Sequence, residues 1–454
     1  MKKICFTLLI LFTLAGVSAQ ETFEKVYKYY DGNARINSVL ELTDGYLLAG
    51  TYNTGEYGIF LIKTNQYGDS LWTKKLNVPV TGFSKVLSVV DYQNNIYLTT
   101  TQGTNDIIKV SPEGAVLWAK EVSASSDIYS LRIAPDNNLL IAYNQSNMTY
   151  LLKLDREGNQ VWISEEILNP APEGQIPTAL NALGNGNILL AVSNNLQIPA
   201  NSSLYYYSAT GQIISTSNLQ ASEPMMMNDI YLSGKKIISL ATPANLAANN
   251  NRLFIIEHSP TGIVANESKR TFDYYDIDVI KFFANSSVNL ITLATAKETE
   301  SSPEQIMLYA SNVAGDSLWT KLLGGPGKTI AYDIQPDSDG GYLISASIDD
   351  NGTARPYFIK TDAAGNYSHL GIETSREQLP VSVYPNPATS VVVFQTPENI
   401  KGSIVISDLQ GRECKIAEIN GSRTEVETGN MLPGMYIYTI KSGNSIRTGK
   451  ISVK

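Results

Sequence analysis

Short stretches in which apolar and polar residues alternate recur along most of the chain, and they predict β-strands. In one representative unit, four such stretches lie at residues 39–42, 46–52, 59–65 and 70–76. Turn residues separate them, including Asp44-Gly45 and Tyr67-Gly68. The 3.6-residue periodicity of an amphipathic helix is nearly absent. The pattern therefore predicts an all-β protein.

The unit recurs seven times, each time with a glycine that ends the last turn. These glycines are spaced 44 to 53 residues apart and are Gly68, Gly114, Gly158, Gly211, Gly262, Gly315 and Gly365. All four tryptophans of the chain follow such a glycine by four residues: Trp72, Trp118, Trp162 and Trp319. The other three units have Ser215, Asn266 and His369 at this position. Four strands per repeat of this length are typical of a β-propeller blade, so we predict a seven-bladed propeller over residues 20–372.

The tryptophans and the chain ends bear on how the blades pack. A tryptophan at a fixed position of each outer strand is expected to pack between neighbouring blades rather than to stack on a ligand. The seventh unit has only a weak fourth strand, whereas residues 23–27 resemble the fourth strand that begins at Trp319. We therefore predict that residues 22–29 supply the outer strand of the last blade, with Phe23 beside residues 357–361.

The N-terminus has the organisation of a cleaved signal peptide. Lys2 and Lys3 precede an apolar run over residues 4–17, and small residues precede a predicted cleavage between Ala19 and Gln20. The run is shorter than the roughly 20 residues that span a bilayer. Cys5 lies inside the run rather than directly after the cleavage site, which excludes a lipoprotein anchor at that site. Residues 1–19 are thus predicted to direct export, and no later stretch is long enough to span a membrane.

The amino-acid composition excludes several classes of protein. The chain is 43% hydrophobic and 17% charged, with a formal net charge of −9, which excludes a disordered chain and a basic nucleic-acid binder. Two cysteines, of which Cys5 leaves with the signal peptide, exclude a disulfide scaffold. Tyrosine is abundant, at 26 residues, and its side chain is suited to contacts with sugars or proteins.

No catalytic constellation stands out. The only histidines are His258 and His369, and both are expected to be exposed or to serve packing; Cys414 is expected to be buried. Two histidines and one remaining cysteine cannot build a multi-ligand zinc site. The acidic stretches 337–340 and 349–352 are interpreted as hairpin turns rather than calcium loops, and 225–227 (Met-Met-Met) as core. Residues 324–329 lack the spacing of a phosphate-binding loop. We predict no metal, no cofactor and no catalytic residues.

A polar stretch over residues 373–379 predicts a linker, and residues 380–454 hold about seven short strands with the rhythm of a small immunoglobulin-like β-sandwich. Three motifs lie in this domain: Val-Tyr-Pro-Asn-Pro-Ala, with Tyr384, Pro385, Asn386 and Pro387; Leu-Pro-Gly-Met-Tyr, with Gly434 and Tyr436; and Gly-Lys-Ile-Ser-Val-Lys, with Gly449, Lys450 and Lys454. In this order they resemble the type A C-terminal sorting domain of type IX secretion system cargo. The resemblance implies a Bacteroidetes-type bacterium, recognition by the outer-membrane translocon and removal by a sortase-like protease. The protein would then pass through the periplasm and be secreted or attached to the outer-membrane surface.

The leading hypothesis is an exported, monomeric, non-enzymatic binding module for an unknown glycan or protein. Long connections at 197–203, 243–252 and 297–304 link equivalent strands and should line one face. The alternative is a propeller enzyme, such as a polysaccharide lyase or hydrolase, acting at the mouth of the central channel. A quinone-cofactor dehydrogenase is a third hypothesis, on the tryptophan-containing repeats alone. Acidic or tyrosyl side chains with shifted pKa values at the channel mouth would favour an enzyme.

Overall fold

The computed structural model describes residues 21–28, 32–76, 78, 80, 85–91, 93–101, 106–122, 126–146, 148–164, 175–194, 202–219, 221–223, 225–233, 236–243, 251–259, 263–285, 289–325, 327–368, 381–396, 401–408, 412–419, 421–442 and 445–454. The chain divides into two compact units, Met1–Ser368 and His369–Lys454. The described residues form strands and turns without a helix. Among them, no helix is long and apolar enough to cross a membrane.

The first unit contains seven four-stranded antiparallel sheets, which we call blades. Blades one and two are β2 (Asn33–Leu42), β3 (Gly45–Asn53), β4 (Tyr57–Thr64) and β5 (Ser70–Leu76), then β6 (Val86–Val90), β7 (Ile96–Thr100), β8 (Asp106–Val110) and β9 (Val116–Glu121). Blades three and four are β10 (Ser126–Ile133), β11 (Leu139–Gln145), β12 (Met148–Leu154) and β13 (Gln160–Ile163), then β14 (Gln175–Ala182), β15 (Ile188–Asn194), β16 (Ser202–Tyr207) and β17 (Ile213–Asn218).

The remaining blades follow the same order. Blades five and six are β18 (Met225–Ser233), β19 (Lys236–Pro243), β20 (Arg252–His258) and β21 (Val264–Thr271), then β22 (Asp276–Ala284), β23 (Leu290–Lys297), β24 (Gln305–Ser311) and β25 (Ser317–Leu323). Blade seven is β26 (Thr329–Pro336), β27 (Tyr342–Asp350) and β28 (Thr353–Thr361), completed by β1 (Phe23–Val26). The predicted seven-bladed β-propeller is confirmed.

The first strand of the chain closes the ring of blades. β1 pairs with β28 in antiparallel register, with Phe23 opposite Lys360 and Val26 opposite Tyr357, as the sequence predicts. The inner strands of neighbouring blades contact one another around the whole ring, and β26 of blade seven contacts β2 of blade one. The first and last blades are therefore in contact, and β28 is not left as an unpaired edge strand.

Each tryptophan ring lies against the turn glycine of the next blade. A Cβ atom built on Gly114 would be 2.6 Å from Trp72, and those of Gly158, Gly211 and Gly365 would be 2.9, 2.6 and 2.9 Å from Trp118, Trp162 and Trp319. These glycines also have positive φ, from 74° to 83°, which side chains disfavour. At the closure, Phe23 takes the place of tryptophan, 2.5 Å from a Cβ on Gly68. The repeated glycine and aromatic positions thus form one contact between blades, which explains their common spacing.

The second unit is a two-sheet β-sandwich, as predicted. Its strands are β29 (Ser382–Tyr384), β30 (Val391–Gln395), β31 (Gly402–Ser407), β32 (Glu413–Ile419), β33 (Arg423–Glu427), β34 (Gly434–Ser442) and β35 (Ser445–Val453). One sheet has the order β29-β30-β33 and the other β32-β31-β34-β35. The core between them includes Phe394, Ile404, Ile440 and Ile451.

The prediction that Cys414 is buried is wrong. Its side chain is exposed, and the thiol lies 3.4 Å from the carbonyl oxygen of Arg412. β32 is an edge strand, and Cys414 shares its outward face with Ile416 and Glu418, which are also exposed. The strand alternates between two faces, and a cysteine in the sequence does not show which face it occupies.

Candidate functional site: the central channel

The seven inner strands surround a cavity of about 460 Å³, to which every blade contributes. Its lining includes Lys85, directly before β6, and Ile176 and Met226, the second residues of their strands. The cavity therefore extends to the side on which the inner strands begin. A volume of this size is typical of sites for small ligands and is far too small for a folded protein.

The long connections predicted from the sequence join strands that end on this same side. Because neighbouring strands are antiparallel, each connection from a second to a third strand lies at the end where the inner strand begins. Residues 195–201 and 244–250 of two of these connections lie outside the described residues. The third, in blade six, is described and ends at Glu304, which pairs with Lys328 at 3.2 Å.

Six of the seven inner strands carry an irregularity in register, and in each of them the skipped residue lines the channel. The skipped residues are Asn37, Tyr129, Thr178, Asn228, Ile280 and Tyr332. A β-bulge leaves one residue outside the ladder and re-aims its side chain. The channel is consequently ringed by two amides, two phenols, one hydroxyl and one aliphatic side chain, held by a rigid scaffold.

The charged groups of the channel are largely engaged with other protein groups. Lys281 Nζ lies 2.8 Å from Asp333 Oδ1, and Gln335 Nε2 donates to Asp333 Oδ2 at 3.1 Å. The carboxylate of Asp229 accepts the backbone N–H of Ile230 at 2.9 Å and that of Phe282 at 3.2 Å. Since Phe282 belongs to blade six, Asp229 links blades five and six. These contacts offset the cost of removing the charges from water.

Burial shifts several pKa values in and around the channel. It raises the pKa of Asp229, against the opposing charges of Arg132 and Lys281. It also raises the pKa of Asp278 on β22, and Lys85 of blade two opposes this shift. The pKa of Tyr129 is raised by burial and by the charge of Asp127. Such clusters of shifted groups are frequent at functional sites and also occur in structural networks.

The sequence did not nominate these channel residues. They lie in the repeats, one in each of six inner strands, so the periodicity indicates their approximate positions. A bulge, however, depends on how two strands pair, and no local residue pattern marks it here. The tryptophans and glycines were prominent in the sequence because they build the contacts between blades, and none of those in the described part of the chain lines the channel cavity.

His258 is buried at the end of β20 and has a packing role. Its Nε2 lies 2.7 Å from Ser239 Oγ, and its Nδ1 lies 3.0 Å from the carbonyl oxygen of Ser259. Nδ1 must donate to the carbonyl, which leaves Nε2 of the neutral ring to accept the serine hydroxyl. Burial lowers the pKa of His258. The other histidine, His369, lies outside the described residues.

Acidification should therefore destabilise the propeller through His258. In the unfolded chain the His258 imidazole binds a proton near pH 6.5, whereas in the folded chain it does so only at lower pH. The folded state therefore keeps its stability above pH 6.5 and loses stability relative to the unfolded state as the pH falls below 6.5. Between pH 7 and 5.5, the free energy of unfolding of the wild type should fall relative to that of His258→Gln, by up to about 1.4 kcal/mol per pH unit. Urea unfolding at several pH values measures both slopes, and equal slopes would refute the neutral buried state.

The remaining candidate motifs form turns, ion pairs and buried contacts. The acidic stretch 337–340 lies in the turn between β26 and β27, and the stretch 349–352 spans the end of β27 and the turn to β28, so both belong to hairpins as predicted. Lys360 pairs with both Asp337 and Asp339, at 2.5 Å to Asp339 Oδ2. Met225 and Met227 are buried, whereas Met226 lines the channel. Within the described part of the chain, no cluster of three or more histidine, cysteine or acidic side chains is placed to hold a metal ion.

In the second unit, the first and last sequence motifs meet. Asn386 Nδ2 donates to the carbonyl oxygen of Lys450 at 3.1 Å, and Asn386 Oδ1 accepts the N–H of Ser452 at 2.9 Å. The N–H of Ala388 donates to Ser452, and that of Lys454 donates to Ala388. Residues that are 64 to 66 positions apart are thus joined by hydrogen bonds of the Asn386 side chain and of the Ala388 backbone.

The middle motif and Gly449 are also placed by packing. Tyr436 is buried, and its hydroxyl donates to the carbonyl oxygen of Leu432 at 2.8 Å, across the turn that contains Gly434. Gly449 lies opposite Tyr438, and a Cβ on Gly449 would be 2.3 Å from the tyrosine hydroxyl oxygen. Tyr384 and Lys450 are exposed, so they are accessible to another protein.

The chain is a seven-bladed β-propeller joined to a small β-sandwich. Residues 382–454 match the family described as the secretion system C-terminal sorting domain, which confirms the resemblance to type IX secretion cargo. The sorting domain implies interaction with the type IX machinery and export to the cell surface or release. No curated protein matches the chain.

Similar solved structures include propellers with low sequence identity. A catalytically inactive variant of virginiamycin B lyase from Staphylococcus aureus, with quinupristin, is 11% identical, with 75% of this chain and 100% of that chain covered and a TM-score of 0.50. A streptogramin B lyase is 15% identical, with 75% and 98% covered and a TM-score of 0.49. A protein of unknown function from Bacteroides caccae is 14% identical, with 63% and 97% covered and a TM-score of 0.42. These likenesses concern the fold alone.

Proposed function

We propose that the propeller is a non-enzymatic binding module and that its ligand is a glycan that enters the central channel. The ring of bulged residues carries this proposal. Asn37, Asn228 and Thr178 offer amide and hydroxyl groups, and Tyr129 and Tyr332 offer aromatic faces. Sugars are recognised by this combination of hydrogen bonds and stacking. The cavity volume of about 460 Å³ favours a few sugar units over a protein ligand.

The test is a screen of the full chain without residues 1–19 against an array of host and microbial glycans. Circular dichroism should first show that the sample is folded. Saturable binding to a defined class of glycan supports the proposal. A folded sample that retains no glycan contradicts it and favours a protein partner bound on the outer surface.

Replacing Tyr129 with alanine should weaken glycan binding at least tenfold. The ring belongs to the channel lining, and removing an anchoring aromatic at the centre of a site commonly costs more than 1.4 kcal/mol, which is tenfold in affinity. The matched control is Tyr67→Ala, since Tyr67 is an exposed tyrosine in an outer turn of blade one. Titration calorimetry measures both. Equal affinities in the two variants would place the ligand outside the channel.

A polysaccharide-cleaving enzyme is the second candidate, favoured by the raised pKa values of Asp278 and Tyr129. A carboxyl and a phenol with raised pKa values can transfer protons as general acids or bases. Incubation with the polysaccharides that bind, followed by chromatography of the products, distinguishes the two candidates. Cleavage that is lost in Asp278→Asn would establish the enzyme.

For the exported protein we propose a monomer that the type IX translocon delivers after signal-peptide cleavage at Ala19, with removal of the sorting domain by a sortase-like protease. The support is the sorting-domain match together with the exposure of Tyr384 and Lys450. The intact mass of the protein recovered from cells and medium shows whether both ends are removed, and light scattering shows its oligomeric state.

A further inference from the structure

Blades one, three and seven share an arrangement of three side chains around a buried lysine. A lysine on the third strand pairs with an aspartate in the first turn of the same blade: Lys63 with Asp44 at 2.6 Å, Lys153 with Asp136 at 2.6 Å and Lys360 with Asp339 at 2.5 Å. The cross-strand neighbour of each lysine is the aromatic residue of the outer strand, namely Trp72, Trp162 and Phe23. The aromatic ring of each set packs against the turn glycine of the following blade.

Blade four lacks all three of these side chains. Tyr206 pairs with Ser215 as Lys153 pairs with Trp162, so Tyr206 replaces the lysine and Ser215 the tryptophan. The turn from Leu183 to Asn187 has the same hydrogen bonds as the turn from 134 to 138, which places Asn185 where blade three has Asp136. An indole ring and an ion pair are thus replaced by a hydroxyl, an amide and a phenol.

A cavity lies at this position, between blades four and five. Its volume is about 750 Å³. Leu183, Leu189 and Tyr206 of blade four face Tyr231, Leu232 and Ile237 of blade five across it. Its described lining contains no charged side chain. Asn185 and the Tyr206 hydroxyl, which accepts a hydrogen bond from Asn187 at 2.8 Å, are among its polar groups.

From this comparison of blades, we propose that the crevice between blades four and five binds a small uncharged aromatic molecule. The related blades show that the scaffold accommodates an aromatic ring next to this position, and most of the large side chains that line the crevice are leucine, isoleucine and tyrosine. Apolar surface of this kind favours an apolar ligand, and the absence of charge from the described lining disfavours an ion. The crevice lies at the first turn of blade four, at the opposite end of the inner strand from the channel mouth, and shares no lining residue with the channel.

The experiment titrates the full chain without residues 1–19 with N-phenyl-1-naphthylamine, an uncharged aromatic probe that fluoresces in apolar surroundings. The wild type should bind one probe molecule saturably. Ser215→Trp restores the side chain of the related blades next to Tyr206, and it should weaken binding at least tenfold. Thr216→Trp is the matched control, because Thr216 is exposed and pairs with Tyr205, on the other face of the same strand. It should bind as the wild type does.

A second variant that fills the crevice allows the test to be made even if Ser215→Trp does not fold. Asn181 lines the crevice and pairs with Leu189, at the other end of the same cross-strand row. Asn181→Trp should also weaken binding tenfold. Absence of saturable binding to a folded chain, or equal affinities in the control and in whichever filling variant folds, would overturn the proposal. Glycan binding in the channel is measured separately and is expected to persist in all three variants, so the two sites can fail independently.

Discussion

Phe23→Ala should lower the free energy of unfolding of the propeller by about 3–5 kcal/mol, the usual cost of truncating a buried phenylalanine. The ring is buried and packs edge-on against Phe358, with 5.2 Å between centroids, and at a tilt against Tyr46, with 6.2 Å between centroids. It also covers Gly68 in the first blade. One side chain therefore holds the closing strand to blade seven and blade seven to blade one.

The control for this prediction is Leu71→Ala. Leu71 lies on the outer strand of blade one and is 57% exposed, so its truncation should change the free energy of unfolding by no more than about 0.5 kcal/mol. Urea unfolding followed by circular dichroism measures both variants. If Phe23→Ala were as mild as the control, closure through β1 would contribute little, and the ring of blades would have to be held by the inner-strand contacts alone.

Gly449→Ala should reduce export strongly, because it disturbs the packing of the sorting domain. The new Cβ would lie 2.5 Å from Cζ of Tyr438. That ring cannot move away freely, since it is 6% exposed and packs edge-on against Phe394 at 5.1 Å. Overpacking of this kind costs about 1–3 kcal/mol, which is a large part of the stability of a domain this small.

The matched control is Gly429→Ala in the same domain. Its nearest neighbour would be the Cα of Ser390 at 3.7 Å, an ordinary contact. Quantifying the full chain in the periplasm and outside the cell should show at least a fivefold loss of export for Gly449→Ala and none for Gly429→Ala. Equal export of the two variants would mean that the translocon does not require the packed domain.

The repeat made the propeller predictable from its sequence. Gly68 and Trp72 recur as a pair because the ring of one blade packs on the glycine of the next, so the spacing reports the contact directly. The closing role of Phe23 could be predicted for the same reason, since residues 23–27 resemble a fourth strand. The three sorting motifs were recognisable because they occur in order, and the structure joins the first and the last through Asn386.

The binding surfaces were less accessible to sequence reasoning. Tyr129 and Asn228 line the channel because β-bulges re-aim them, and bulges follow from the pairing of two strands rather than from local composition. The crevice next to Tyr206 could have been suspected from Ser215, which interrupts the tryptophan series. The crevice depends on three replacements together, at Asn185, Tyr206 and Ser215, however, and only the pairing of the strands and turns shows that these residues are neighbours. The prediction that Cys414 is buried was wrong for a related reason, since the alternation of a strand does not show which of its two faces is exposed.

The most direct test of the central claim is a crystal structure of the chain grown with the oligosaccharide that scores highest on the array. If the glycan enters the channel, density for the sugar should appear there, in contact with Tyr129 and Asn228 and among the bulged residues of the other inner strands. Sugar density confined to the outer strands or turns, with an empty channel, would contradict it.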